Sequence, residues 1–247
     1  MDNALQLLVT GCRGRMGRAV IDCAGDFPEV RVAAAIDAGD DLIAALADVG
    51  TVIDFTLHGF SVELVRACVE HQRALVMGTT GHTDTELAAI REAAQQIPLV
   101  LAPNFSVGVN TLFWLVAKAA AVLQPGFDIE VVEMHHRHKT DAPSGTARRL
   151  GEILAETTGR DYAGDTRHGR VGDVGARSER EIGMHALRGG DVVGDHTVMF
   201  AAAGERIELT HKASSRDTFA RGALRAALWL RDQPAGLYDM QDVLGLK

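Results

Sequence analysis

The apolar residues of this chain fall into short blocks whose spacing switches between the strand and the helix period. Residues 5–10 form an apolar run of strand length, followed by a helical pattern from about Arg15 to Ala24 and a second strand, 30–36, that ends at Asp37. A short helix over 40–48, a strand over 51–55, a helix over 61–71, a strand over 74–77, a helix over 84–95 and a strand over 99–102 continue the series. Strands taking turns with helices predict a parallel sheet with crossover helices. Thr83-Asp84-Thr85-Glu86 has the form of a capping box, which supports a helix start there.

Past Asn104 the alternation breaks. A long apolar helix over about 108–123 leads to a strand at 128–133, a helix over 144–157 and a polar, Gly- and Arg-rich stretch, 159–180, that reads as a long loop. Strands at 182–188, 196–203 and 205–212 predict a mixed or antiparallel sheet, with Ala203-Gly204-Glu205 as a hairpin turn. Ser214-Ser215-Arg216-Asp217 resembles a second capping box and opens a helix to about Arg231. The expected fold class is α/β: a Rossmann-like dinucleotide-binding domain over 1–105, followed by an α+β domain with a mixed sheet over 106–215.

Composition narrows the function classes. With 247 residues, 47% of them hydrophobic, the chain can bury one large core or two modest ones, which argues against disorder. A formal net charge of -8 without a Lys/Arg-rich block argues against a nucleic-acid or membrane-surface partner. Charges break the apolar runs before any could span a bilayer, and the N-terminus lacks the basic and apolar regions of a secretory signal, so a cytoplasmic location is expected. Cys12, Cys23 and Cys68 form no metal-like pair and are expected to be buried, reduced thiols.

Gly11-Cys12-Arg13-Gly14-Arg15-Met16-Gly17 lies between a strand and a helix, the context a phosphate-binding turn requires. Glycines allow the tight turn and the close approach of a pyrophosphate, while the helix N-terminus offers N–H groups and a favourable dipole. The spacing is G-x-x-G-x-x-G, not the commoner G-x-G-x-x-G, and glycines alone also fit an ordinary turn. Asp37, twenty positions past Gly17, stands where a carboxylate can accept hydrogen bonds from the adenosine ribose hydroxyls. That carboxylate repels the extra phosphate of NADPH and Ala38 adds no positive charge, so NADH is expected to be favoured; Arg13 and Arg15 leave NADPH open. Gly78-Thr79-Thr80-Gly81 and Ala102-Pro103-Asn104-Phe105 follow two further strands at the carboxyl edge of the same sheet.

The most unusual stretch is Glu133-Met134-His135-His136-Arg137-His138-Lys139, in which five of seven residues can carry positive charge inside an acidic protein. Such a segment at a strand end suits an anion, and Asp141-Ala142-Pro143-Ser144-Gly145-Thr146-Ala147 then leads into a helix start able to hold a carboxylate. No metal site is expected, because H-H-x-H on an extended segment sends its side chains to both faces.

These segments together resemble the 4-hydroxy-tetrahydrodipicolinate reductase (dihydrodipicolinate reductase) family of the diaminopimelate and lysine pathway. The resemblance runs almost end to end, through Asp54-Phe55-Thr56, Asn104-Phe105-Ser106-Val107-Gly108-Val109-Asn110 and His211-Lys212-Ala213-Ser214-Ser215-Arg216 as well as the segments above, with His135 through Thr146 the most specific. It implies reduction of a six-membered nitrogen heterocycle bearing two carboxylates by NADH or NADPH. It implies His135 as proton donor or acceptor, Lys139 as proton donor, His136 as a substrate contact, and Gly145 with Thr146 as holders of a substrate carboxylate. Gly11 to Met16, Asp37, Gly78 to Thr80 and Ala102 to Phe105 match nucleotide contacts. The resemblance further implies that the helix from Arg216 returns to the nucleotide domain, so that 216–247 belongs with it, and that the second domain's sheet joins subunits into a homotetramer. Two departures stand out: only 16 residues separate Asp37 from Asp54, so that one strand of the sheet is expected to be missing, and Leu57 and Ala38 stand where some members carry basic groups near the cofactor. A nucleotide sensor without turnover is the rival from another class, against which the intact His135 and Lys139 argue. A different two-domain dehydrogenase is the second, and it would have no need of His135 to Thr146.

Overall fold

The computed structural model describes residues 4–247. In chain order the first part contains β1 (Leu5–Thr10), α1 (Arg15–Ala24), β2 (Val30–Ile36), α2 (Leu42–Ala45), β3 (Thr51–Asp54), α3 (His58–Glu70), β4 (Ala74–Met77), α4 (Asp84–Ala93) and β5 (Pro98–Leu101). Then come α5 (Val107–Leu123), β6 (Asp128–His135), α6 (Gly145–Thr158), α7 (Tyr162–Asp165), β7 (Thr166–His168), β8 (Ile182–Arg188), β9 (Gly194–Ala202) and β10 (Glu205–Ala213). The chain finishes with α8 (Asp217–Leu230), β11 (Gly236–Tyr238) and α9 (Met240–Leu244). Two compact units result: one joins the chain up to Val107 with Arg216–Lys247, and the other is Gly108–Ser215.

In the first unit six strands pair in the order β2-β1-β3-β4-β5-β11, every neighbour parallel. Leu7, Val9, Ile53, Val76 and Val100 face a core shared with Val20 of α1 and Ala223, Leu224 and Ala227 of α8. Leu8, Val52, Leu75 and Leu99 face the opposite core with Leu64 and Val65 of α3 and Ile90 of α4. Burial on both faces is why these strands read as unbroken apolar runs. Consecutive strands lie on opposite sides of β1, which creates a switch point at its carboxyl end, where the glycine turn sits.

The 37–54 connection carries only α2, capped by Asp41 accepting from the Ala44 N–H, and holds no strand, as its shortness implies. Other expectations change. The sixth strand, β11, comes from the C-terminal segment, and at three residues it is too short to show a periodic pattern. The 159–180 stretch is not all loop, since it holds α7 and β7. Helix α8 begins after Arg216, whose side chain makes no cap, two residues later than the Ser214–Asp217 box predicts, and it buries an alanine- and leucine-rich face. The Thr83 box is present in full, Thr83 Oγ1 accepting from the Glu86 N–H and the Glu86 carboxylate from the Thr83 N–H.

In the second unit five strands run in the order β10-β9-β6-β8-β7, with β6 parallel to β8 and antiparallel to β9. Ile129, Val131, Glu133 and His135 alternate onto the covered face of β6, where Val109, Leu112, Val116, Leu150 and Leu154 complete the core. A carboxylate and an imidazole thus end a strand whose earlier inward positions are aliphatic.

Candidate active site

In the first unit the turn after β1 is shaped by contacts only glycine tolerates. Gly11 has φ +73, and a Cβ there would lie 2.9 Å from the Phe55 carbonyl oxygen. A Cβ on Gly17 would lie 2.2 Å from the Gly11 carbonyl oxygen, so the first turn of α1 is pressed against the strand exit. Gly14 donates its N–H to the Gly11 carbonyl at 3.0 Å and serves as N-cap of α1 without a side chain to block the helix end. Arg13 and Arg15 are exposed and Met16 packs against the core; Cys12, expected to be buried, is only half-buried because it lies in the turn itself, whereas Cys23 and Cys68 are buried. A cleft of about 1080 Å³ opens beside the turn, lined by Gly11, Gly14, Asp37 and, farther along, by Phe55, Leu57 and Phe60.

Asp37 accepts from the backbone N–H of Arg13 at 2.9 Å and from that of Ala38 at 2.9 Å, one on each oxygen. These two bonds, the Arg13 one foremost, hold its carboxyl below the usual carboxylate range. Each oxygen keeps a second acceptor site, so a diol can still be bound. Asp40, Asp41, Glu63 and Glu70 line the same cleft, against Arg66.

The ends of β3, β4 and β5 converge around a residue to which the sequence assigns no role. Asp54 is fully buried and accepts from the hydroxyls of Thr10 at 2.7 Å, Thr56 at 2.6 Å and Thr79 at 2.6 Å. Thr79 also accepts the Thr56 N–H at 3.0 Å. A Cβ on Gly78 would lie 2.1 Å from the Phe55 ring, which in turn meets Phe105 edge-on at 5.8 Å. Gly78, Thr79 and Phe105 are thereby brought together, and Ala102 is buried next to them in the core; Thr80 and Pro103 are exposed and Asn104 is half-exposed. The side chain of Asn104 accepts the Ser106 N–H at 2.8 Å just before α5 begins.

In the second unit Glu133 is fully buried. Its Oε2 accepts from His135 Nδ1 at 2.6 Å and Arg188 Nη1 at 2.8 Å, and its Oε1 from Arg188 Nη2 at 2.9 Å and the Ser144 N–H at 3.1 Å. Ser144 caps α6 by accepting the Ala147 N–H, and its hydroxyl meets His196 Nε2 at 3.1 Å. His135 therefore lies in one bonded cluster with the helix start that carries Gly145 and Thr146. Gly145 is exposed, with nothing within 4 Å of a Cβ built there. The Lys139 ammonium pairs with Asp141 Oδ1 at 2.9 Å, and the Lys139 N–H donates to the His136 carbonyl, closing a turn. Burial drives the His196 imidazole down to about 3, so it is neutral. Glu133, Ser144, Arg188 and His196 went unassigned in the sequence. The period of two that puts Glu133 on the His135 face was the one available signal, while Arg188 reaches the site only through strand pairing, opposite His135 on β8. Among the described residues no group of three or more His, Cys, Asp or Glu side chains is arranged for a metal ion.

Burial would raise the Glu133 carboxyl, but the bonds from His135, Arg188 and Ser144 outweigh it and hold the group at about 2. The stability this lends is complete above the ordinary value of 4.5 and is lost as pH falls through about 2. Urea unfolding from pH 7 to pH 2.5 is expected to show a decline below pH ~4.5 worth roughly 3 kcal/mol at most from this group, and a shallower decline in Glu133→Gln.

The two halves match two family models, "Dihydrodipicolinate reductase, N-terminus" over residues 5–105 and "Dihydrodipicolinate reductase, C-terminus" over 108–244. The chain belongs to the dihydrodipicolinate reductase family. Among its relatives, the 4-hydroxy-tetrahydrodipicolinate reductase of Akkermansia muciniphila is 56% identical over 242 residues, covering 98% of each chain. That of Chromobacterium violaceum is 50% identical over 263 residues, again 98% of each. The dipicolinate-bound dihydrodipicolinate reductase from Paenisporosarcina sp. TG-14 shares the fold with a TM-score of 0.78 at 22% identity, covering 97% of this chain and 98% of its own. The family places this chain among the NAD(P)H-dependent oxidoreductases of lysine and diaminopimelate biosynthesis, and a nonenzymatic sensor no longer competes.

Proposed function

We propose that this chain reduces 4-hydroxy-tetrahydrodipicolinate to tetrahydrodipicolinate, with His135 and Lys139 managing the proton. The observation that carries the assignment is the bonded cluster joining His135, through Glu133 and Ser144, to the start of α6. It gathers a proton-exchanging imidazole and a helix N-terminus suited to a carboxylate, beside a cationic segment suited to a dianion. Lys139 delivers the proton as an ammonium, and His135 gives or takes one at Nε2, since Nδ1 is committed to Glu133. Gly145 and Thr146 hold one substrate carboxylate, and His136 contacts the substrate.

The glycine turn and the adjoining cleft fit a dinucleotide. Gly11, Cys12, Arg13, Gly14, Arg15, Met16 and Gly17 would hold the pyrophosphate, Asp37 the ribose, and Gly78, Thr79, Thr80 and Ala102 to Phe105 the remainder. When bound, the reduced nicotinamide supplies the hydride. NADH is favoured over NADPH, because an ionised Asp37 flanked by Asp40 and Asp41 opposes a 2′-phosphate that Arg13 can offset only in part, its guanidinium already lying 3.8 Å from Asp40. The partly exposed Val132, Met134 and Leu187 of the second sheet support its use in joining copies into a homotetramer, and three free cysteines accord with a reducing compartment such as the cytoplasm.

The test is oxidation of NADH by the purified protein on addition of freshly made 4-hydroxy-tetrahydrodipicolinate, run side by side with NADPH. We expect kcat/KM about tenfold higher with NADH, the size of one unfavourable charge contact of ~1.4 kcal/mol, and a smaller ratio in Asp37→Ala. A folded, NADH-binding protein without turnover would overturn the assignment, and equal efficiencies would overturn the cofactor argument.

A further inference from the structure

We infer that Glu133 is a positioning residue that sets the tautomer of His135 and couples that ring to the start of α6. The inference rests on the reading of His135 as a proton-transfer group and says what makes it one. An ionised carboxylate only accepts hydrogen bonds and offers four acceptor positions, two on each oxygen. Here four donors meet them: His135 Nδ1 and Arg188 Nη1 on Oε2, Arg188 Nη2 and the Ser144 N–H on Oε1. Because Oε2 cannot donate, the neutral ring carries its hydrogen on Nδ1, which leaves Nε2 with a lone pair to exchange a proton. Nε2 points toward Gly194, where a Cβ would stand 3.0 Å away, so a side chain at that position would crowd the reacting nitrogen.

The remaining contacts restrict how the ring can move. Arg188 grips the carboxylate with both Nη atoms while Nη2 also donates to the Asp141 carbonyl at 2.7 Å, tying the clamp to the segment that carries Lys139's partner. The far side of the ring meets His196 edge-on at 5.2 Å, and His196 is held by the hydroxyl of the same Ser144 whose N–H reaches Glu133. A carboxylate so placed orients proton donor and carboxylate holder as one body, which a residue acting on the ring alone would not do. Arg188 also supplies the opposite charge without which a fully buried carboxylate would be strongly destabilising.

The decisive variant is Glu133→Gln, labelled with nitrogen-15 in its histidines. Its amide can accept from His135 or from Arg188 and Ser144, but its NH₂ then faces a donor in either orientation. We expect kcat to fall about 10- to 30-fold, KM for NADH to stay within about twofold, and the His135 nitrogen signals to move from a single Nδ1–H form to a mixture of tautomers. A folded variant with the wild-type kcat would overturn the inference, as would a lower kcat with an unchanged His135 tautomer, which marks a merely structural role. Should Glu133→Gln not fold, Arg188→Gln keeps the carboxylate and opens the clamp. It is expected to lower kcat about fivefold with a broadened His135 signal, and a wild-type kcat there overturns the inference equally. His135→Gln separates the two readings. Normal turnover in it removes the catalytic role of His135 itself, whereas inactivity in it beside normal turnover in Glu133→Gln removes only the positioning role.

Discussion

Lys139→Ala is expected to lower turnover by about 100-fold or more while NADH affinity stays within about twofold. The side chain is four-fifths covered, and its ammonium is fixed 2.9 Å from Asp141 Oδ1, with 20% of the lysine side chain left exposed. That bond holds the Asp141 carboxyl below its ordinary range and keeps the lysine side chain in place at the end of the cationic segment. Alanine removes the donor and leaves Asp141 free to oppose a dianionic substrate, so the substrate KM should rise as well. The substitution changes none of the residues proposed to hold the nucleotide. Single-turnover kinetics with an NADH fluorescence titration on the same sample checks both halves of the expectation. Normal turnover would remove Lys139 from the mechanism.

Gly17→Ala is expected to weaken NADH binding by about 100-fold, or ~2.7 kcal/mol, and to lower Tm by several degrees. The added methyl would lie 2.2 Å from the Gly11 carbonyl oxygen, 2.7 Å from its carbon and 2.8 Å from Cys12 Cα, all backbone atoms that cannot swing aside. Relief requires moving α1 away from the strand exit, which displaces the N–H groups proposed to hold the pyrophosphate. Gly59→Ala on α3 is the control, since a Cβ there meets nothing within 4 Å and should leave affinity unchanged. Titration calorimetry of the two variants decides the matter, and wild-type affinity in Gly17→Ala would move the pyrophosphate away from this turn.

The first unit was easier to read than the second because its information is local. Strands buried on both faces announce themselves as apolar runs, and a glycine turn between strand and helix is contiguous. The Thr83 capping box was likewise readable, since all its bonds fall within four residues. At the similar-looking Ser214–Asp217 segment the helix starts two residues later than the box pattern predicts, after Arg216. In the second unit β7 and α7 hid in a polar stretch, too short at three and four residues for a period to develop.

The Gly11–Gly17 turn, Asp37 at its strand end and the basic His135–Lys139 segment were determined by the sequence alone, since each depends on residue type and near spacing. What only the tertiary structure decided is which groups act on them. Asp54 gathers hydroxyls from Thr10 and Thr79, residues 44 and 25 positions away, and Arg188 reaches Glu133 from 55 positions away. Such partners are chosen by which strands become neighbours. Strand order is set by burying whole faces against helices, an energy summed over the entire unit and carried by no local pattern.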